Sequence, residues 1–308
     1  MKIFLSGASG MVGRNILDNS HASNYDWLTP SHADVDLANF EAVIRYFERE
    51  KPDFVIHAAG KVGGIQANIK EPVAFLTANL DMGRNVLIAA AQAGVPRAIN
   101  LGSSCMYPKD RTSGLREEDI LTGPLEPTNE GYALAKVTTA KLAEYISREN
   151  PGLSYKTMIP SNLFGKYDKF DPRFSHLVPA VIHKIHQAVS QGVSSVEIWG
   201  DGSARREFLY AGDLAKAIFH AIENFSTMPD IVNIGVGSDY SVNEYYSTVA
   251  KVIGYQGSFV HDLTKPVGMA RKLLSVERAH SWGWAASTTL EAGISETYDF
   301  YLKTARIN

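Results

Sequence analysis

The chain has 308 residues, 45% of them hydrophobic and 20% charged, with a formal net charge of −3. That length allows a large core in one large or two unequal domains. The charge balance lacks the basic footprint of a nucleic-acid or membrane-surface binder, and no apolar run nears the ~20 residues that span a bilayer. A single cysteine, Cys105, excludes an internal disulfide, and the first residues enter a strand with no cleavable signal, so a cytoplasmic protein is expected.

Residues 2–5 read as an apolar strand running into Gly7-Ala8-Ser9-Gly10-Met11-Val12-Gly13 and then a helix to about residue 19. Glycines at this G-x-x-G-x-x-G spacing, between strand and helix, let a backbone approach a pyrophosphate. These residues are the first expected cofactor contacts. The second strand, over 25–29, ends in Thr29-Pro30-Ser31-His32. A free ribose 2′-hydroxyl usually meets a carboxylate there. Its absence removes repulsion against a 2′-phosphate and favours NADP over NAD, with Arg14 and His32 as the available cations. Asn39 is expected to cap a helix carrying Ile44 and Phe47. Residues 53–57 form a third, buried strand, in which His57 is read as a packing residue. The small Ala58-Ala59-Gly60 after it lets a dinucleotide lie against the strand end. A glycine-hinged loop, Lys61-Val62-Gly63-Gly64-Ile65, precedes a long helix over about 73–93.

The fourth strand, 98–101, opens the stretch that concentrates the chemistry. Tyr132 and Lys136 are four apart in a helical run, so they share a face. An ammonium beside a phenol lowers its pKa, which makes Tyr132 a candidate proton donor and acceptor near neutral pH. Ser103 or Ser104, at the strand end, can share one substrate oxygen with it. A fifth strand follows over 155–159. Alternation this regular implies right-handed β-α-β units and a parallel sheet. After Pro160-Ser161-Asn162-Leu163-Phe164-Gly165 the pattern turns mixed. It has a polar, aromatic loop to Ser175, a helix from His176 to His186, a strand over 196–199, and Arg205-Arg206-Glu207-Phe208 after a glycine turn. Asp213 is expected to cap an apolar helix. Ser241-Val242-Asn243-Glu244 and Thr288-Thr289-Leu290-Glu291 read as capping boxes.

Together these residues resemble an extended short-chain dehydrogenase/reductase. More narrowly, they resemble the GDP-L-fucose synthases, which epimerise and reduce GDP-4-keto-6-deoxy-mannose. The resemblance runs essentially end to end. It is most specific at Lys61-Val62-Gly63-Gly64-Ile65, Gly102-Ser103-Ser104-Cys105-Met106-Tyr107-Pro108, Pro127-Thr128-Asn129-Glu130, Pro160-Ser161-Asn162-Leu163, Ser175-His176, Trp199-Gly200 and Arg206-Glu207-Phe208. It implies an α/β fold, a Rossmann-type doubly wound parallel sheet with a smaller mixed α/β substrate lobe. Residues 1–164 would be the NADP-binding domain, rejoined by later segments, and 165–308 mainly the lobe. Ser103, Tyr132 and Lys136 would be the reducing triad, and Cys105 and His176 the base and acid of epimerisation. Leu101, Gly102, Lys136, Pro160, Asn162, Leu163 and His176 would line NADPH beside the glycine turn. Lys184, Trp199 and Arg206 would contact a GDP-linked sugar. No metal is implied. A homodimer is expected, through a four-helix bundle of the helices near 73–93 and 132–148.

Three positions depart from the family pattern. Bacterial relatives carry arginines where Ser9 and Pro30 stand, and the pattern Lys-Pro-Asp-Gly reads Lys265-Pro266-Val267-Gly268. Other readings stay open. One is a 4-ketoreductase without epimerisation, or an epimerase recycling held NAD, acting on a related 4-keto-6-deoxy hexose or heptose. Another is a non-catalytic NADP-binding sensor of the same fold.

Overall fold

Buried apolar strands alternate with helices from the first residues of the computed structural model, which describes residues 1–111, 114–171, 175–265 and 270–305. In order come β1 (Lys2–Ser6), α1 (Met11–Leu17), β2 (Asp26–Leu28), α2 (Phe40–Glu50), β3 (Phe54–His57), α3 (Ile65–Lys70), α4 (Pro72–Gln92), β4 (Arg97–Leu101), α5 (Glu130–Glu149) and β5 (Ser154–Pro160). Then follow β6 (Asn162–Phe164), α6 (Leu177–Gln191), β7 (Ser195–Trp199), β8 (Arg205–Arg206), β9 (Phe208–Tyr210), α7 (Ala211–Glu223) and β10 (Ile231–Ile234). The chain ends with β11 (Tyr240–Ser241), α8 (Val242–Ile253), β12 (Ser258–Asp262), β13 (Arg271–Lys272), α9 (Glu277–Ser281) and α10 (Leu290–Ala305).

Six strands form one sheet in the order β10-β5-β4-β3-β1-β2, every neighbouring pair parallel. Both faces are covered, which explains why its strands are continuous apolar runs rather than alternating ones. In β1, Ile3 and Leu5 face a core shared with Ile16 of α1 and with Leu214 and Ile218 of α7. Phe4, between them, points to the other core, with Phe47 of α2, Val86 of α4 and Ala143 of α5. This is the doubly wound Rossmann-type sheet. A further apolar cluster joins Ile182 of α6, Tyr245 and Val249 of α8 and Ile294 of α10 with Val196 and Ile198 of β7.

Local signals in the sequence set several element ends. Asn39 accepts from the Ala42 amide at 3.1 Å, and Ser241 and Glu244 cap each other's backbone reciprocally. Other ends differ from expectation. Residues 65–70 are helical as α3, because Asn68 turns its amide back onto the carbonyls of Gly63 and Gly64. Residues 162–164, given no element in the sequence reading, pair in parallel with β9. Asp213 lies inside α7, not at its cap, and its carboxylate accepts from the amides of Ser287 and Thr288 at 3.0 and 2.7 Å. Thr289, not Thr288, caps α10 by accepting from the Ala292 amide at 3.3 Å. Among the described residues no helix is long and apolar enough to cross a membrane. The C-terminal ends of β1, β3, β4 and β5 open onto one edge of the sheet, where ligands of such sheets bind.

Candidate active site

The turn between β1 and α1 packs backbone against backbone. Gly7 has φ +71°, and a Cβ there would stand 2.8 Å from the Ala59 backbone. A Cβ on Gly13 would stand 2.3 Å from the Gly7 carbonyl oxygen. Only glycine fits at either place. Ser6 latches the turn to β3 by accepting from the amides of Ala58 and Ala59, each at 3.1 Å. Ala8 is half-buried, Ser9 and Gly10 are exposed, and α1 begins at Met11 and Val12 with no side-chain cap. Leu101 and Gly102 close the end of β4, where the Gly102 amide donates to Met158. Pro160 ends β5, and Asn162 and Leu163 lie in β6 beside it. His57 is buried against Ser6, and burial followed by the Lys136 charge lowers its pKa to about 3. It is the packing residue the sequence suggested. Arg14 is stacked on the Tyr167 ring at 3.7 Å, and His32 pairs with Asp36 at the surface.

Ser103 starts a single 3₁₀ turn after β4, its hydroxyl accepting from the Cys105 amide at 3.3 Å. The same hydroxyl lies near enough to Tyr132, in the first turn of α5, to favour its ionised form. Ser104 is buried instead. Lys136 is buried one turn below Tyr132. Its ammonium donates to the Leu101 carbonyl at 2.9 Å and stands 5.9 Å from the Tyr132 ring centre. Here the structure corrects the sequence reading. Burial raises the Tyr132 pKa, the negative charge of Cys105 raises it further, and the Ser103 hydroxyl offsets this only in part. The Lys136 ammonium is itself weakened by burial, to a pKa of about 8. The phenol is therefore held protonated at neutral pH. It is poised as a donor, not as a base.

The Cys105 sulfur is half-buried and has two donors within reach, the Asn129 amide at 3.1 Å and the Lys272 ammonium at 3.7 Å. His176 stands at the N-cap of α6, with its surface open to water. Crowding by protein and then the Lys272 charge push its pKa below the ordinary value, and solvent tempers both effects at an exposed ring. Lys272 thus neighbours the Cys105 sulfur, and its charge also acts on His176. Sequence reasoning gave no role to Asn129, although it stands in a family motif, and none to Lys272. The latter lies 167 residues from Cys105, so no spacing rule links them.

The remaining expected contacts lie on α6, β7 and β8. Lys184 of α6 donates to the Glu197 carbonyl, and the exposed Trp199 donates to the Glu197 carboxylate at 2.9 Å. Arg206 donates to the Arg205 carbonyl at 2.8 Å and is paired in register with Lys272. Burial holds its pKa below the usual arginine value. A cleft lined by Gly200, Asp201, Ser203, Arg205 and Leu263 lies on this side. Val267, the third departure from the family pattern, lies outside the described residues.

Comparison with known proteins agrees with this geometry. Residues 3–235 match a family model described as "NAD dependent epimerase/dehydratase family". A GDP-L-colitose synthase of Yersinia pseudotuberculosis is 55% identical over 302 residues, covering 98% of both chains. A GDP-L-fucose synthase of Azorhizobium caulinodans is 50% identical, covering 98% of this chain and 96% of the relative. Among solved structures, a GDP-D-glycero-L-gluco-heptose synthase from Campylobacter jejuni, in the presence of NADPH, superposes with a TM-score of 0.89. It is 28% identical, with 98% of each chain covered.

Proposed function

The chain belongs to the NAD dependent epimerase/dehydratase family, and from that premise we propose that it is an NADPH-dependent epimerase-reductase of a GDP-linked 4-keto-6-deoxy sugar. Its substrate is GDP-4-keto-6-deoxy-D-mannose and its product GDP-L-fucose, formed by inversion at carbons 3 and 5 and reduction at carbon 4. The 50%-identical GDP-L-fucose synthase supports this choice of substrate. The observation that carries the reading is the loop after β4. There Ser103, whose hydroxyl acts on Tyr132, stands two residues from Cys105, whose sulfur meets Asn129 and Lys272.

The 4-keto group acidifies the protons on both neighbouring carbons. Cys105 takes such a proton, and the electron pair moves onto the keto oxygen, where the Tyr132 and Ser103 hydroxyls receive it as hydrogen-bond donors. His176 returns a proton from the opposite face, which inverts the centre, and the same exchange at the second neighbour completes epimerisation. In the reductive step Tyr132 gives its proton to the oxygen as general acid. Bound NADPH supplies the hydride to carbon 4. The tight Gly7–Gly13 turn, Leu101, Gly102, Lys136, Pro160, Asn162, Leu163 and His176 would hold the cofactor. The fit rests on the backbone cradle that a Cβ at Gly7 or Gly13 would fill. NADP is favoured over NAD by the absence of a carboxylate in residues 29–32 and by the NADPH present with the heptose synthase. Lys184, Trp199 and Arg206 would hold the nucleotide diphosphate, a guanidinium being suited to two phosphate oxygens at once.

A second reading is favoured by the 55%-identical relative named for colitose, a sugar without a 3-hydroxyl. On a 3-deoxy substrate only carbon 5 is a stereocentre to invert. Incubation with NADPH and each of the two GDP-4-keto sugars, with ultraviolet absorbance and NMR of the products, tests both. NADPH consumption with an inverted, reduced product is expected for one of them. Product without consumption means a recycling epimerase, and NADPH binding without turnover of either sugar means a sensor.

A further inference from the structure

Asn129 stands at the N-cap of α5, in the stretch Pro127-Thr128-Asn129-Glu130. An asparagine there ordinarily turns its side-chain oxygen onto the amide of the second or third helical residue, here Gly131 or Tyr132. Asn129 does not. Its side chain makes no capping bond, and its Oδ1 is buried without a hydrogen-bond partner among the described residues. Its Nδ2 instead donates to the Cys105 sulfur, 24 residues away in the chain, at 3.1 Å. A favourable local bond is given up for a distant one, and such breaks of a local rule gather at functional sites. We infer that Asn129 is a positioning residue for epimerisation, which forgoes capping α5 to fix the Cys105 side chain in one rotamer beside Ser103. This rests on the epimerase reading above.

Both ends of that bond are anchored. The Cys105 amide donates to the Ser103 hydroxyl at 3.3 Å, which fixes the backbone that carries the sulfur. The Asn129 amide donates to the Glu126 carbonyl at 3.1 Å, and the Glu126 carboxylate accepts from the Thr128 amide at 3.4 Å. Gly131 lets this turn press on α4, since a Cβ there would stand 2.8 Å from the Pro72 carbonyl oxygen. The freedom left is rotation about the Cα–Cβ bond of Cys105. A change of staggered rotamer swings the sulfur by about 3 Å. Misplacing a reacting group by ~1 Å can cost ~10²-fold in rate. One net hydrogen bond favours the bonded rotamer roughly fivefold. The bond from Asn129 therefore acts on the one motion that the backbone leaves open. The other donor to the sulfur, the Lys272 ammonium at 3.7 Å, sits on a flexible four-carbon stem and constrains direction less.

Deuterium uptake from heavy water into the GDP-4-keto-6-deoxy sugar, without NADPH, reads epimerisation, and NADPH consumption reads reduction. Serine caps helices well but is too short to reach the sulfur from position 129. Asn129→Ser should therefore melt no lower than the wild type and still bind NADPH by fluorescence. Its ratio of uptake to reduction should fall at least fivefold, and by as much as ~100-fold. A residue that only supported the fold would lower both rates together, because Tyr132 lies three positions further along. A residue that only capped α5 would be replaced by serine without loss. A ratio that falls less than about fivefold overturns the inference. Asn129→Asp has the same shape and no donor, should behave alike, and takes the place of the serine variant if that one fails to bind NADPH. Absence of uptake by the wild type overturns the epimerase reading instead. The Cys105 rotamer in crystal structures of the wild type and the variant then decides alone, and a sulfur that keeps its place overturns the inference.

Discussion

Replacing Tyr132 by Phe removes one oxygen and leaves the ring in place. Two losses must be separated. The hydroxyl forfeits one hydrogen bond to the keto oxygen, a net contribution of about 1 kcal/mol, or roughly fivefold in a rate if all of it is felt in the transition state. As the general acid it forfeits far more, ~10²–10⁴-fold, which is about 3–5 kcal/mol of barrier. Ser103 can still donate a hydrogen bond to the keto oxygen, but its hydroxyl is too weak an acid to replace the phenol. Lys136 keeps its bond to the Leu101 carbonyl and its place under the ring. Reduction in Tyr132→Phe should therefore fall at least about 100-fold while the affinity for NADPH barely changes. The assay is NADPH consumption by ultraviolet absorbance at saturating sugar and cofactor, with NADPH binding followed by fluorescence. A loss under about tenfold with binding intact would match the hydrogen bond alone, and the proton donor would have to be sought elsewhere.

Cys105→Ser should abolish deuterium uptake at carbons 3 and 5 in heavy water while reduction continues, giving the un-epimerised 6-deoxy sugar by NMR. Wild-type reduction with no uptake would make the enzyme a plain 4-ketoreductase. Lys136→Met should stabilise the free protein near neutral pH even as it impairs reduction. Burial holds the Lys136 pKa at about 8 against an ordinary 10.5, so charging it in the fold costs about 3 kcal/mol at 1.36 kcal/mol per unit, less the lost bond to Leu101. A depressed lysine pKa means folding releases a proton between those values. The cost is present in full below pH 8 and fades as pH rises through that window, and so should the variant's advantage in urea midpoint. A variant less stable than wild type at neutral pH would contradict this. A homodimer is expected through α4 and α5, which leave Val73, Leu134 and Tyr145 exposed at 72%, 40% and 42%. A monomer by light scattering at micromolar concentration would count against it.

What the sequence made legible was local. The glycine spacing between β1 and α1, the caps at Asn39 and Ser241, and the apolar runs of the sheet each depend on neighbours within a few residues. The Tyr132–Lys136 spacing correctly placed both side chains on one stretch of helix, but spacing says nothing about burial. Desolvation reversed the expected sign of the Tyr132 shift and turned the ammonium toward the Leu101 carbonyl. Asp213 looked like a cap because a carboxylate near a helix start usually is one. It is inside the fold, and its partners come from a segment that no local pattern could connect to it. Lys272 was invisible for the same reason, because its neighbour in space is brought there by sheet topology alone.

The two half-reactions ask for opposite charge states within one small volume. On the proposed roles, epimerisation needs an anion at the sulfur, and reduction needs a proton on the phenol. A single preference for charge or for neutrality could not serve both. The arrangement reconciles them by coupling. After burial, the second cause raising the Tyr132 pKa is the negative charge of Cys105 itself. An anionic sulfur thus makes the neighbouring phenol a less willing anion, and so retains the proton that reduction will spend. The Lys272 ammonium meets the sulfur, and Lys136 is diverted to a backbone carbonyl. On those roles, the proposed base of the first reaction would protect the proposed acid of the second. Thiol deprotonation and phenol ionisation therefore oppose each other, and a substrate can meet both groups in working form at the same pH.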